Sequence, residues 1–267
     1  QPINQSTEAY HIPVLLRETI EGLSIQPGGV YVDCTFGGGG HSKAILEKLG
    51  ADGKLIAFDQ DEEAKRNLPD DKRVIFVPHN FRHLSRFLRL HHVAAVDGIM
   101  ADLGVSSHQF DEAGRGFSTR FDAALDMRMD QRQTLTAHDV VKTYSELQLH
   151  KLFEQYGEVT NARTLAKTIV QVRNHVSLKT IDTFKNALRE VVKGNPNKYF
   201  AQVFQALRIE VNDELGALKE MLQQIPKLLR PGGRVAMITS QCCEDRLGKN
   251  CFRRCLSDEP EGAPSFN

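Results

Sequence analysis

A short apolar run, Gly29-Val-Tyr-Val-Asp33, is followed by four consecutive glycines, Gly37 to Gly40, and then by a helical stretch from Ser42 to Leu49. A strand ending on an acid, a glycine-rich turn and a helix open a βαβ unit, which commits its strands to a parallel sheet with helical crossovers. The pattern repeats. Lys54 to Asp59 predicts a second strand, Val74 to Val77 a third, Val96 to Asp102 a fourth and Arg234 to Thr239 a fifth, with a helical segment over Glu62 to Asn67. A helix over Asp213 to Leu229, closed by a Pro231-Gly232-Gly233 turn, precedes the last strand.

Between Phe110 and Phe204 the period changes: Ala137 to Tyr156, Asn161 to Val172 and Ile181 to Val192 carry helical spacing without strand alternation. The expected fold class is α/β, a Rossmann-like sheet domain with an inserted all-helical domain. Residues 1–109 and 204–256 would form the sheet domain, 110–203 the insert, and 257–267 a flexible tail. At 267 residues the chain exceeds the roughly 100–200 of a usual single domain, which leaves room for both parts.

A composition of 40% hydrophobic and 25% charged residues excludes wholesale disorder and fibrous repeats. No run approaches the ~20 apolar residues of a membrane helix, and Gln1 to His11 lacks the layout of a signal peptide, so a cytoplasmic protein without a membrane partner is expected. Cys34, Cys242, Cys243, Cys251 and Cys255 read as reduced thiols, and the spacing of the last four matches no usual zinc pattern, so no metal is expected. Lys and Arg (34) balance Asp and Glu (34), but unevenly. Residues 1–140 hold 15 basic and 20 acidic side chains and residues 141–210 hold 11 and 6, so the insert is the part suited to phosphates.

The turn from Asp33 to Ser42 has the chemistry of a cofactor loop. Glycines let the backbone approach a ligand closely, and the N–H groups of the helix start face it. No Lys follows the last glycine as in a phosphate-binding loop, and no third glycine completes a dinucleotide fingerprint. Asp59, at the end of the second strand, stands where a carboxylate accepts hydrogen bonds from ribose hydroxyls. Asp33 beside the glycines would repel a pyrophosphate but attract the cationic sulfonium and ammonium of S-adenosylmethionine. Asp102 ends the fourth strand, at the edge where open α/β sheets keep their sites.

His11 to Leu16, Asp33 to Ser42, Asp102 to Ser107, Gly114 to Ser118, Leu125 to Asp130, Tyr156 to Glu158 and Phe204 to Leu215 together resemble the bacterial 16S ribosomal RNA (cytosine-N4)-methyltransferase family. The motifs occur in that family's order and cover residues 11 to about 254. The resemblance implies a class I methyltransferase sheet domain, a helical RNA-recognition insert, S-adenosylmethionine as methyl donor, and a cytidine in the decoding centre of small-subunit ribosomal RNA as target, within an assembled or nearly assembled subunit. It carries the family's cofactor contacts onto Gly39, Gly40, His41, Asp59, Phe81, Asp102 and Gln109, beside the Asp33 and Gly37 read from the loop itself. Phe81 would pack on the adenine ring, and His41 would serve backbone approach and hydrogen bonding rather than as a base.

The chain departs from the family in two places. Thr239-Ser-Gln241-Cys242-Cys243-Glu244-Asp245-Arg246 keeps only the Glu-Asp-Arg end of the usual Ser-x-His-Ser-Leu-Glu-Asp-Arg, with Gln241 in place of the histidine, and an Asn-Pro-Arg-x-Arg-Ser segment is absent, the alternatives being a missing part of the RNA surface and a truncated chain. Asp102 is the catalytic candidate, either accepting a hydrogen bond from the cytosine amine or holding the cofactor. Ser106, Arg208 and Asn212 are substrate candidates, the last two sharing a helix face. Ser106 or Ser107 could instead cap the next helix, and Arg208 could instead form a surface salt bridge. Methylation of another RNA or a protein, and a cofactor-binding ribosome-assembly factor without turnover, are the alternative functions.

Overall fold

The computed structural model describes Pro13, residues 15–240 and residues 244–250. The start of the His11 motif, the Gln241-Cys242-Cys243 departure, Cys251, Cys255 and the 257–267 tail lie outside the described residues. The chain runs through α1 (Leu16–Leu23), β1 (Val30–Asp33), α2 (Gly40–Lys48), β2 (Lys54–Phe58), a 3-10 turn (Glu62–Asn67), β3 (Val74–Val77), a second 3-10 turn (Phe81–His83), α3 (Leu84–Leu90) and β4 (Val96–Asp102). There follow α4 (Ser107–Asp111), α5 (Ala137–Thr143), α6 (Glu146–Gly157), α7 (Ala162–Val172), α8 (Ile181–Ala187) and α9 (Pro196–Asn212). The chain then passes through α10 (Glu214–Leu228) into β5 (Leu229–Ile238), and residues 244–250 are helical.

Two compact units result. A sheet unit comprises the residues up to Asp59, Glu63–Leu103 and Met221–Ser240; a helical unit comprises Gln60–Glu62, Gly104–Glu220 and the helical turns at 244–250. The sequence pattern returns the chain to the sheet domain at 204, whereas the helical unit extends to Glu220. The reason is α9, which crosses residues 203 and 204 as one helix and buries Val203, Phe204, Leu207 and Val211 in the helical core.

In the sheet unit the strands lie in the order β3-β2-β1-β4-β5, every pair parallel. The Val-, Ile- and Leu-rich runs fit strands covered on both faces. Tyr31, Leu55 and Met100 pack with Leu23, Ile45, Leu46 and Leu49 of α1, α2 and its end, each fully buried aliphatic side chain contributing about 1.5–3 kcal/mol. Register then sets the site: Asp33 lies opposite Ala57 and Met100, so β1, β2 and β4 deliver their carboxyl ends to one edge. The turn predicted at Pro231-Gly232-Gly233 lies inside β5 instead. Gly232 adopts φ +80° there, and the register against β4 shifts between Val96 and Gly98, so the extra residues are absorbed as a bulge.

The helical unit is built on Leu149, Leu152 and Phe153 of α6, Leu165 and Ile169 of α7, Phe184 of α8 and the buried face of α9. The single helix predicted over 137–156 is two. Ser145 accepts a hydrogen bond from the Gln148 amide (3.2 Å) while its own amide donates to the Gln148 side chain (2.9 Å), which starts α6 afresh after α5. The helix predicted to Val192 stops at Ala187 and continues as a 3-10 turn over Arg189–Val191.

Candidate active site

At the carboxyl edge of the sheet, Asp33 is fully buried and held from two sides. Its Oδ2 accepts from the Ser42 hydroxyl (2.6 Å) and its Oδ1 from the Thr35 amide (3.0 Å). Burial pushes the carboxyl up to about 6, against those hydrogen bonds, and the charge of Asp102 adds to the rise. The Thr35 hydroxyl accepts from the Asp102 amide (2.7 Å), so one threonine ties the ends of β1 and β4 together. Asp102 is half-buried, and burial raises its carboxyl as well. Cys34, next in the chain after Asp33, is buried; desolvation and then the Asp33 charge push its thiol well up, so it stays protonated.

The glycine loop joins this edge to β2. The Gly37 amide donates to Asp59 Oδ2 (2.7 Å), and Asn67 Nδ2 donates to the Gly37 carbonyl (3.0 Å). Gly39 takes φ +83° as the cap of α2, where no side chain bonds the first amides of the helix. A Cβ on Gly39 would stand 3.1 Å from the Phe36 ring, and one on Gly40 would collide with Pro13. The expected stretch Ser42–Leu49 thus begins two residues earlier, at Gly40, with His41 and Ser42 buried in its first turn. Phe81 follows β3 in the turn capped by Asn80, half-exposed beside the same edge.

Asp33, Gly37, Gly39, Gly40, His41, Asp59, Phe81 and Asp102 therefore belong to one unit, with Asp33, Asp59 and Asp102 at the strand ends. The remaining candidates belong to the helical unit. Ser106 caps α4 through a reciprocal pair with Gln109, accepting from its amide and donating its own amide to the side chain (both 3.1 Å). Gln109 also donates to Asp61 (2.9 Å), so its amide group is engaged at both ends. Arg208 forms a largely enclosed pair with Glu214 (2.9 Å), so its guanidinium is engaged within the helical unit rather than in a surface bridge. Asn212 is 1% exposed: it accepts from the Met129 amide (2.8 Å) and donates to the carbonyls of Met127 (2.8 Å) and Arg208 (2.9 Å). Its side chain holds the 125–130 loop instead of presenting an amide to a substrate.

A buried node escaped the sequence reading. Arg115, 5% exposed, donates to Asp61 (2.8 Å) and to the carbonyls of Arg128 (3.0 Å) and Met129 (3.1 Å). Its sequence signals are the Gly114 to Ser118 motif and its place between two glycines, Gly114 and Gly116, the latter at φ +76°, neither of which names a partner. Among the described residues no group of His, Cys, Asp and Glu is arranged to hold a metal, and no helix is long and apolar enough to cross a membrane.

Residues 8–266 match the sequence profile described as the MraW methylase family. The chain belongs to this family. It is 53% identical over 258 residues to the ribosomal RNA small subunit methyltransferase H of Flavobacterium johnsoniae, covering 96% of this chain and 85% of that protein. The proteins of the same name from Christiangramia forsetii (52% over 254 residues; 94% and 84% covered) and Bacteroides thetaiotaomicron (53% over 245 residues; 91% and 81%) are similar to it as well. As a member of the MraW methylase family it is a methyltransferase, and its five-stranded parallel sheet is that of a Rossmann-like class I enzyme.

Proposed function

We propose that this chain transfers the methyl group of S-adenosylmethionine to the N4 amine of a cytidine in the decoding centre of small-subunit ribosomal RNA, in the cytoplasm, on an assembled or nearly assembled subunit. The observation that carries the reading is the acid-lined edge built around the Gly39 cap: a loop without side chains over the α2 amides, flanked by Asp33, Asp59 and Asp102, fits a cationic nucleoside donor and would repel a pyrophosphate. Relatives at about half identity named as small-subunit ribosomal RNA methyltransferases support the substrate.

When bound, the sulfonium supplies an electrophilic methyl group that requires in-line attack. Asp59, oriented by the Gly37 amide, would take the ribose hydroxyls, Phe81 would cover the adenine, and Gly39, Gly40 and His41 would admit the methionine end beside Asp33. The cytosine amine is a weak nucleophile because its lone pair is delocalised into the ring, so most of the rate comes from holding it in line. The base must leave any stack to arrive there. Asp102, its carboxyl raised by burial, is suited to accept a hydrogen bond from the amine and to ease departure of its proton.

Transfer from labelled donor to assembled small subunits, compared with naked RNA, tests this reading. Label on a cytidine N4 supports it; label on another RNA position or on protein, or donor binding without transfer, refutes it in favour of a different methyltransferase or an assembly factor. Loss of transfer with intact donor binding in Asp102→Ala gives Asp102 the catalytic role, and loss of both gives it to the cofactor.

A further inference from the structure

On the helical unit the end of α7 and the outer face of α8 enclose an open groove of about 720 Å³, within the roughly 300–1,000 Å³ of small-ligand clefts. Its floor is apolar, made by Val172, Val176 and Ala187, and Val176 is 48% exposed. Beside it stand the amides of Gln171 and Asn186, which hydrogen-bond in the plane of an aromatic ring; the Thr183 hydroxyl next to them is engaged with Thr180. An apolar slot with amides on its rim matches a nucleobase, whose flat face is apolar and whose edge hydrogen-bonds.

The charge around the slot selects the occupant. From Asn161 to Lys193 the chain has seven Lys and Arg against two Asp and Glu. Lys167, Lys179 and Lys193 are exposed and enter no ion pair among the described residues. Arg189 Nη2 donates to Asn186 Oδ1 (2.8 Å), which sets a guanidinium directly on the rim. Lys179, whose amide donates to the Ser177 hydroxyl (3.4 Å), stands next to the lining as well, and unneutralised cations beside an apolar slot suit a phosphate-linked chain of bases.

We propose that this groove is a subsite for one unstacked nucleobase of the substrate RNA, its flanking phosphates carried by Lys179 and Arg189; the proposal rests on the ribosomal RNA reading above. None of its lining residues belongs to the sheet unit, so it is a recognition site and not part of the donor pocket.

The test is the affinity of the full chain, without methyl donor, for a single-stranded RNA of about eight nucleotides, a span within known single-strand sites. Val176→Glu puts a negative charge on the floor and Lys179→Glu reverses one on the rim. Loss of the apolar contact with the Val176 side chain should weaken binding roughly 10-fold in Val176→Glu, while Lys179→Glu should lower the salt dependence, with thermal melting and donor affinity unchanged in both. Should Val176→Glu fail to fold, the surface change Lys179→Glu decides alone. Unaltered RNA affinity overturns the proposal, as does a defect seen only with assembled subunits, which would make a ribosomal protein the occupant. Failure of wild-type transfer to cytidine N4 would sink the function reading without touching the RNA-affinity result.

Discussion

Replacing Asn212 by alanine isolates what one buried amide does. In the wild type it satisfies the Met129 N–H and reaches the Met127 and Arg208 carbonyls, all at 2.8–2.9 Å and with Asn212 itself 1% exposed. A buried amide N–H left without its partner costs about 1–3 kcal/mol, and the carbonyls that lose a donor add less, so Asn212→Ala should destabilise the helical unit by about 2–4 kcal/mol. Met127, at φ +63° and fully buried, adds to the need for a clamp, because a left-handed methionine costs about 1–2 kcal/mol that the surroundings must offset. Urea unfolding of the full chain gives the magnitude, and hydrogen exchange of the peptide spanning 125–130 gives the place. A change below about 0.5 kcal/mol, or a Met129 amide as protected as before, would refute the reasoning. Asn212→Asp sharpens it: the acceptor for Met129 survives, but a carboxylate now faces two carbonyl oxygens. Its charged form is disfavoured in the fold, its pKa is raised, and the variant should regain stability as pH falls and lose it as pH rises through the folded value.

Asp33 predicts a pH dependence of its own. Because its native carboxyl sits at about 6, the folded chain holds that proton more tightly than the unfolded one, and stability should decline by roughly 3 kcal/mol as pH rises from about 4 to about 6, then level. Donor affinity should run the other way, falling as pH drops through about 6 and the attraction for the cation is lost; calorimetric titration of Asp33→Asn should show a flat profile, and an unchanged step would reject the assignment. Gly39→Ala should weaken donor binding and cost about 1–2 kcal/mol of stability, from its positive φ and the Phe36 ring. Gly38→Ala, with no positive φ and open space at its Cβ, is the control, and equal effects of the two in thermal melts would show that the cap conformation is irrelevant.

The parallel sheet was readable because its strands are short apolar runs, three of which end on acids, and Asp33, Asp59 and Asp102 mark the edge in the sequence itself. Boundaries set by hydrogen bonding were not. Ser145 could have sat inside a long helix, and only its reciprocal bonds with Gln148 divide α5 from α6. Phe204 resembles the start of a returning segment, yet it lies inside α9, whose buried face belongs to the helical core as far as Val211. The same limit applies to polar side chains: Asn212 and Arg208 advertise substrate chemistry by type, whereas their partners, the Met127 and Met129 backbone and the Glu214 carboxylate, are set by tertiary geometry. Arg115 and Asp61 carried too little pattern to be paired before the fold brought them within 2.8 Å.

The pairing of β4 with β5 also fixes an order of events during synthesis. Asp102 must find Ile238 across the whole helical unit, a loop whose closure is entropically costly while it is unstructured. The helical unit holds a core drawn entirely from residues 117–211, so it can collapse by itself as it emerges and shorten that search. Until it has done so, the β4 edge is an open template for strand addition, and the growing chain is exposed to mispairing at the strand that bears Asp102.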